Sequence, residues 1–134
     1  MLSVYDFGMT HYFISFNDGD MTFPPEDFPA VGAAAHAVMR EAIEAGVWVF
    51  GGGFEGFRAH VVTADGSVTP GPLSESNVRI GGFTILNVHS EEEANLWAAK
   101  IAQACRCSQE VRLIMDDLEQ VQALDTGKFK SEGN

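Results

Sequence analysis

The stretch GFTILNVHSEEEANLWAAKIAQA, residues 82–104, changes its periodicity at a single serine. Before the serine, residues 82–88 are rich in β-branched and aromatic side chains and read as a strand. After it, Ser90 and Glu93 stand in capping-box spacing, in which each side chain satisfies a backbone N–H that the helix leaves unpaired. Glu91, Glu92 and Glu93 place negative charge at the positive end of the helix dipole. Ala94, Trp97, Ala98 and Ile101 then share one helical face. A strand feeding an amphipathic helix is one half of a fold, and the other half lies upstream.

There, THYFISF (residues 10–16) reads as a strand and NDGDMTFPP as a loop whose prolines suit a helix start. From 27 to 45 the residues Phe28, Val31, Ala35, Val38, Ala42 and Ile43 recur at helical spacing, with Gly46 placed for a left-handed terminator. VWVF (47–50) and FRAHVVT (57–63) read as strands separated by glycines, and Asp65-Gly66 is a hairpin signal. EVRLIM (110–115) is the last strand. The order β-α-β-(hairpin)-β-α-β predicts an α+β domain with the ferredoxin-like split βαβ arrangement, both helices lying on one face of an antiparallel sheet. The domain spans 10–115, after an N-terminal extension (1–9) and before a polar C-terminal tail (116–134).

The strands of this sheet are apolar on both faces. Successive side chains alternate sides, yet Tyr12, Ile14 and Phe16 oppose Phe13 in the first strand, and Phe83 and Ile85 oppose Leu86 and Val88 in the fourth. Two helices cover one face only. The other would leave a patch larger than monomers tolerate, so a homodimer stacked sheet on sheet is expected.

Composition narrows the partners. Among 134 residues, 8 basic against 19 acidic side chains leave a formal charge of −11, which repels phosphate backbones and anionic lipid. Neither nucleic acid nor a membrane is expected as a partner. The N-terminal segment has no basic region followed by a small-residue cleavage site, so the expected location is the cytoplasm. Cys105 and Cys107 form a lone C-x-C without further thiols or histidines at ligand spacing, which points to free thiols and no metal. GGGFEG (51–56) matches the dinucleotide fingerprint in letters, but a strand pattern follows it where a helix should open. The glycines are expected to permit a bulge or a sharp bend, and no cofactor is expected.

The candidate site is the segment VTPGPLSESNVRIGG, residues 68–82. Irregular connections of this length tend to be functional or disordered. Ser74, Glu75 and Ser76 present short polar groups suited to an oxygenated small molecule, beneath prolines and glycines that hold an irregular path. His36 and Arg79 are the candidates to complete the lining. His36 is either a satisfied core histidine or a proton-transfer or ligand residue. Glu75 is either a solvated loop acid or a site residue, and Arg79 either pairs with it or clamps an anion.

The same segment carries a resemblance. VTPGPLSESNVRIGGFTILNV (68–88), AGVWVFGGG (45–53) and SEEEANLWAAKI (90–101) resemble the YCII-related family, also called DGPF domains, over roughly residues 9–115. That resemblance implies a ferredoxin-like fold pairing into a dimeric α/β barrel, in a family whose members mostly have no established activity. Gly71, Pro72 and Glu75 match the family motif and Ser76 stands in for its threonine. Pro70 replaces the motif aspartate, Leu73 the phenylalanine, and Asn77 and Val78 the lysine and final glutamate. If that aspartate acts in acid/base chemistry in the family, the group is missing here. Binding of a small molecule under the 70–82 loop is therefore the leading expectation. Acid/base catalysis on a small, ring-bearing metabolite and a ligand-free structural dimer are the alternatives, with the catalytic residues unknown.

Overall fold

The computed structural model describes residues 9–55, 59–71 and 79–124. In chain order the elements are β1 (Thr10–Asn17), a 3₁₀ turn (Pro25–Asp27), α1 (Phe28–Glu44), β2 (Trp48–Gly53), β3 (His60–Val62), β4 (Val68–Pro70), β5 (Ile80–Val88), α2 (Glu91–Cys105) and β6 (Glu110–Leu113), and residues 118–124 of the tail are helical. The chain is α+β. Four strands form an open antiparallel sheet in the order β2-β5-β1-β6, and β3 and β4 form a separate two-stranded ribbon. Among the described residues no closed barrel forms.

The two longest strands, β1 and β5, pair from Thr10↔Val88 to Phe16↔Gly82 before a register shift at Asn17. This register puts Tyr12 opposite Leu86 and Ile14 opposite Thr84, so one sheet face becomes continuous. Both helices pack on that face. The core joins Tyr12, Ile14, Leu86 and Val88 of the sheet to Ala42 of α1 and to Ala94, Trp97 and Ala98 of α2. Ile14 and Val88 are wholly buried. The expected cap opens α2, with the Ser90 hydroxyl accepting from the Glu93 amide at 3.1 Å, while the Glu93 carboxylate accepts from the His89 amide.

The glycines of β2 differ from expectation. They lie inside the strand, and the irregularity precedes them: Trp48 pairs with Leu86 but Phe50 with Ile85, leaving Val49 as a bulge residue. A bulge shifts the side-chain alternation by one. Trp48 therefore faces the helices, while Phe50, two residues on, faces the other side with Ile85. The glycines instead make room for rings. A Cβ at Gly51 would lie 3.0 Å from Cη2 of Trp48 and 2.7 Å from the Phe83 carbonyl oxygen, and one at Gly82 would lie 2.6 Å from the Phe16 ring.

The stretch at 68–82 is also more regular than its composition suggests. Its start, Val68–Pro70, is strand β4, and Ile80–Gly82 belongs to β5. Pro70 is tolerated because the ribbon has only one neighbour for each strand. The predicted strand at 57–63 is shorter where it is described, His60–Val62, and the one at 110–115 ends at Leu113. The hairpin has a three-residue loop, not a two-residue one. Thr63 and Ser67 close it, the Gly66 amide donates to the Thr63 carbonyl, and Gly66 has φ +88°. This is a type I turn followed by a left-handed residue. The Asp65 carboxylate accepts from the Thr63 hydroxyl and the Ser67 amide. Those bonds hold its pKa down to about 2.

Two predictions follow from this geometry. Gly66→Ala should cost about 1 kcal/mol, because the space is open but the positive φ is not available to alanine without strain. Gly82→Ala should cost more, about 1–3 kcal/mol, by overpacking against Phe16 and the Gly52 carbonyl. Urea unfolding of both variants checks this ordering, and a harmless Gly82→Ala would contradict the seating of Phe16.

Candidate functional site

A cavity of about 410 Å³ lies between the first half of α1 and the sheet, within the size range of small-molecule sites. Its sheet wall carries Phe16 and Trp48, the two rings seated on Gly82 and Gly51. From α1 come Val31, Ala35, Val38 and Met39, a stripe at helical spacing. Ile101 and Cys105 of α2 close one end. The lining is almost wholly apolar. Its polar groups are the Thr84 hydroxyl, the His36 imidazole, the Gln109 amide and the Cys105 thiol, and no Asp, Glu, Lys or Arg contributes to it among the described residues.

The third wall comes from the connection between β1 and α1. Met21 and Phe23 of this connection face the cavity together with Phe28 at the start of α1, and the Phe23 and Phe28 rings meet edge to face at 5.4 Å. Arg106 straps this wall to the end of α2. Its guanidinium donates to Asp27 Oδ2 at 2.7 Å and stands 5.8 Å from the centroid of the Phe23 ring. Arg106 caps α2 with φ 58° and ψ 38°, the only non-glycine residue with positive φ among those described. Glycine is the usual occupant of such a position, and a side chain there costs roughly 1–2 kcal/mol. Arginine occupies the position against that local preference, and its guanidinium reaches Asp27 and the Phe23 ring.

Of the residues singled out from sequence, His36 reaches the cavity. It is exposed at the rim, not a core histidine. Arg79 is exposed where β5 begins, and its carbonyl accepts from the Asp18 amide; it does not line the cavity. Ser74, Glu75 and Ser76 lie outside the described residues. The residues that sequence reasoning missed are Phe16, Trp48 and Phe23. Phe16 lines the cavity because it pairs with Gly82 on β5, which leaves room for its ring, and the Trp48 ring packs against Gly51 of its own strand. Cys105 and Cys107 are free thiols, as expected, and burial pushes the pKa of both upward, that of Cys107 to about 11. They are poor nucleophiles at neutral pH. No group of His, Cys, Asp and Glu suited to a metal occurs among the described residues.

The opposite sheet face has a different character. Phe13, Phe50 and Phe54 surround Phe83, with ring centroids 5.6 to 5.9 Å from it. Phe50 and Phe54 are 62% and 53% exposed. Neither α1 nor α2 packs on this side, although Ser15 and Asn87, which point to it, are buried. His11 shares the face; burial lowers its pKa below 6.5 against a weaker opposing effect of Asp116.

No protein-family model matches the chain, and a search of curated proteins finds no significant match.

The strap predicts a local effect. Arg106→Gly removes a half-exposed ion pair worth under about 1 kcal/mol and relieves a left-handed residue, so overall stability should change little. Amide exchange at Asp27, whose N–H donates to Pro24, should accelerate as the wall loosens; unchanged exchange would mean that Arg106 holds nothing. For His11 the lowered pKa means that the unfolded chain takes up its proton first, so its contribution is present above pH 6.5 and is lost as pH falls below that value. Thermal melts at pH 7.5 and 5.5 on the wild type and on His11→Gln should show a smaller loss in the variant.

Proposed function

We propose that this protein is a small-molecule-binding module that works as a homodimer, in line with its resemblance to the YCII-related family and with a ferredoxin-like reading of its strand order. The observation that carries the binding role is the apolar cavity, walled by rings and the α1 stripe. A ligand entering it would exchange water for Phe16, Trp48, Phe23 and Val38, at about 25 cal/mol per Å² of apolar surface removed from water. Binding is favoured over turnover because the described lining contains no carboxylate and a single thiol, Cys105, whose pKa burial raises, which leaves His36 without a catalytic partner there.

The dimer rests on the exposed Phe13–Phe50–Phe54–Phe83 cluster and on the β3–β4 ribbon. Isolated two-stranded hairpins are at best marginally stable in water, yet this one exposes Val62 and Val68, at 64% and 60%. A second copy covering both features would bury on the order of 1,600 Å², the area of a standard stable interface.

Two measurements test these readings. Light scattering should report a dimer for the wild type and a monomer for Phe83→Glu; a monomeric wild type would end the dimer. The neutral fluorescent probe N-phenyl-1-naphthylamine should bind the wild type and raise its melting temperature. Ala35→Trp, which fills the cavity from α1, should abolish that binding; no binding to the wild type, or unchanged binding to the variant, would end the cavity reading.

A further inference from the structure

Helix α1 keeps a glycine where nothing in its backbone asks for one. Gly32 lies in the second turn, flanked by Val31 and the alanines at 33–35, and its φ is not positive. Alanine is the better helix former at such a site. Nor does packing exclude a side chain, because a Cβ built on Gly32 meets no atom within 4 Å. The space it would enter is the cavity that Gly32 itself lines. The same cavity is lined by the rings of Phe16 and Trp48, whose edges approach Gly82 and Gly51 so closely that neither glycine has room for a Cβ.

We infer that Gly32 is the specificity-determining residue of this cavity, and that its vacant side-chain volume admits a flat, uncharged apolar molecule sandwiched between α1 and the Phe16–Trp48 wall. This rests on the binding reading above and adds the ligand class. Flat apolar ligands suit a wall of aromatic rings, against which they can stack offset or edge to face, and Gly32 leaves its side-chain volume on α1 open. Charge is excluded by the lining. With no Lys, Arg, Asp or Glu in the described wall, an ionised ligand would lose its hydration without gaining a partner. The formal charge of −11 adds long-range repulsion for anions. Thr84, His36 and Gln109 are available for one or two hydrogen bonds to a neutral oxygen or N–H.

The test uses two probes with one skeleton, neutral N-phenyl-1-naphthylamine and its sulfonated relative 8-anilino-1-naphthalenesulfonate, titrated by fluorescence against wild type, Gly32→Ala and Gly32→Leu. The wild type should bind the neutral probe at least tenfold more tightly than the sulfonate. Gly32→Leu should weaken neutral-probe binding at least tenfold. Gly32→Ala should weaken it about threefold while its melting temperature rises, an opposition that a merely structural glycine would not produce. Should Gly32→Leu fail to fold, the alanine variant decides alone, since its Cβ meets nothing. Neutral-probe affinity within twofold of wild type in the folded variants overturns the role of Gly32, and equal affinity for the sulfonate overturns the ligand class. If Ala35→Trp still abolishes binding in either case, the cavity remains the binding site and only the present inference falls.

Discussion

The pairing of β1 with β5 is the constraint on which the rest of the molecule depends. Its register, Tyr12 on Leu86 and Phe16 on Gly82, decides which side chains meet the helices and which do not. A slip of one residue would send Tyr12 and Ile14 to the far face and bring His11, Phe13 and Ser15 beneath the helices. The ladder also brings the Phe16 ring onto a residue without a side chain, and so creates one wall of the cavity. Fold and site share this single set of backbone hydrogen bonds.

From that ladder the two faces diverge. On one, α1 and α2 bury Ile14, Leu86 and Val88 in a packed core, but α1 leaves a gap over the edge where β2 bends. The bulge at Val49 is responsible for part of this asymmetry, since it turns Trp48 inward and Phe50 outward. The inward ring approaches Gly51 through its Cη2 edge and lines the cavity; the outward one joins the phenylalanine cluster. One inserted residue thus contributes both to the cavity wall and to the surface proposed to meet a second copy.

Two residues near the cavity run against local preference in opposite directions. Arg106 occupies a left-handed position where glycine would be easier, and Gly32 occupies a helical position where alanine would be easier. Departures from local consistency concentrate at functional sites, where the local cost is offset elsewhere. Here one departure supplies a strap for the Phe23 wall, and the other leaves room behind it.

The sequence by itself determined the types and order of β1, α1, β2, β5, α2 and β6, because hydrophobic period, the Ser90–Glu93 cap and the Gly46 terminator are local signals, but it did not show strand β4 or the helical residues 118–124. It also determined the two-faced character of the sheet, which is legible in Phe13 against Ile14 without knowing any partner strand. His36 was legible as a candidate for the same local reason, its place beside the α1 stripe. The cavity was not legible, because its walls are made by residues distant in the chain: Phe16 meets Gly82 and Trp48 meets Leu86 only once the strands are in register. The glycines at 51–53 and 81–82 looked like loop or bend residues because sequence shows what a glycine permits in its own backbone, not which ring will lie against it. Only the tertiary structure decided that, since close approach between strands is a property of pairing, and pairing joins residues that no local window contains.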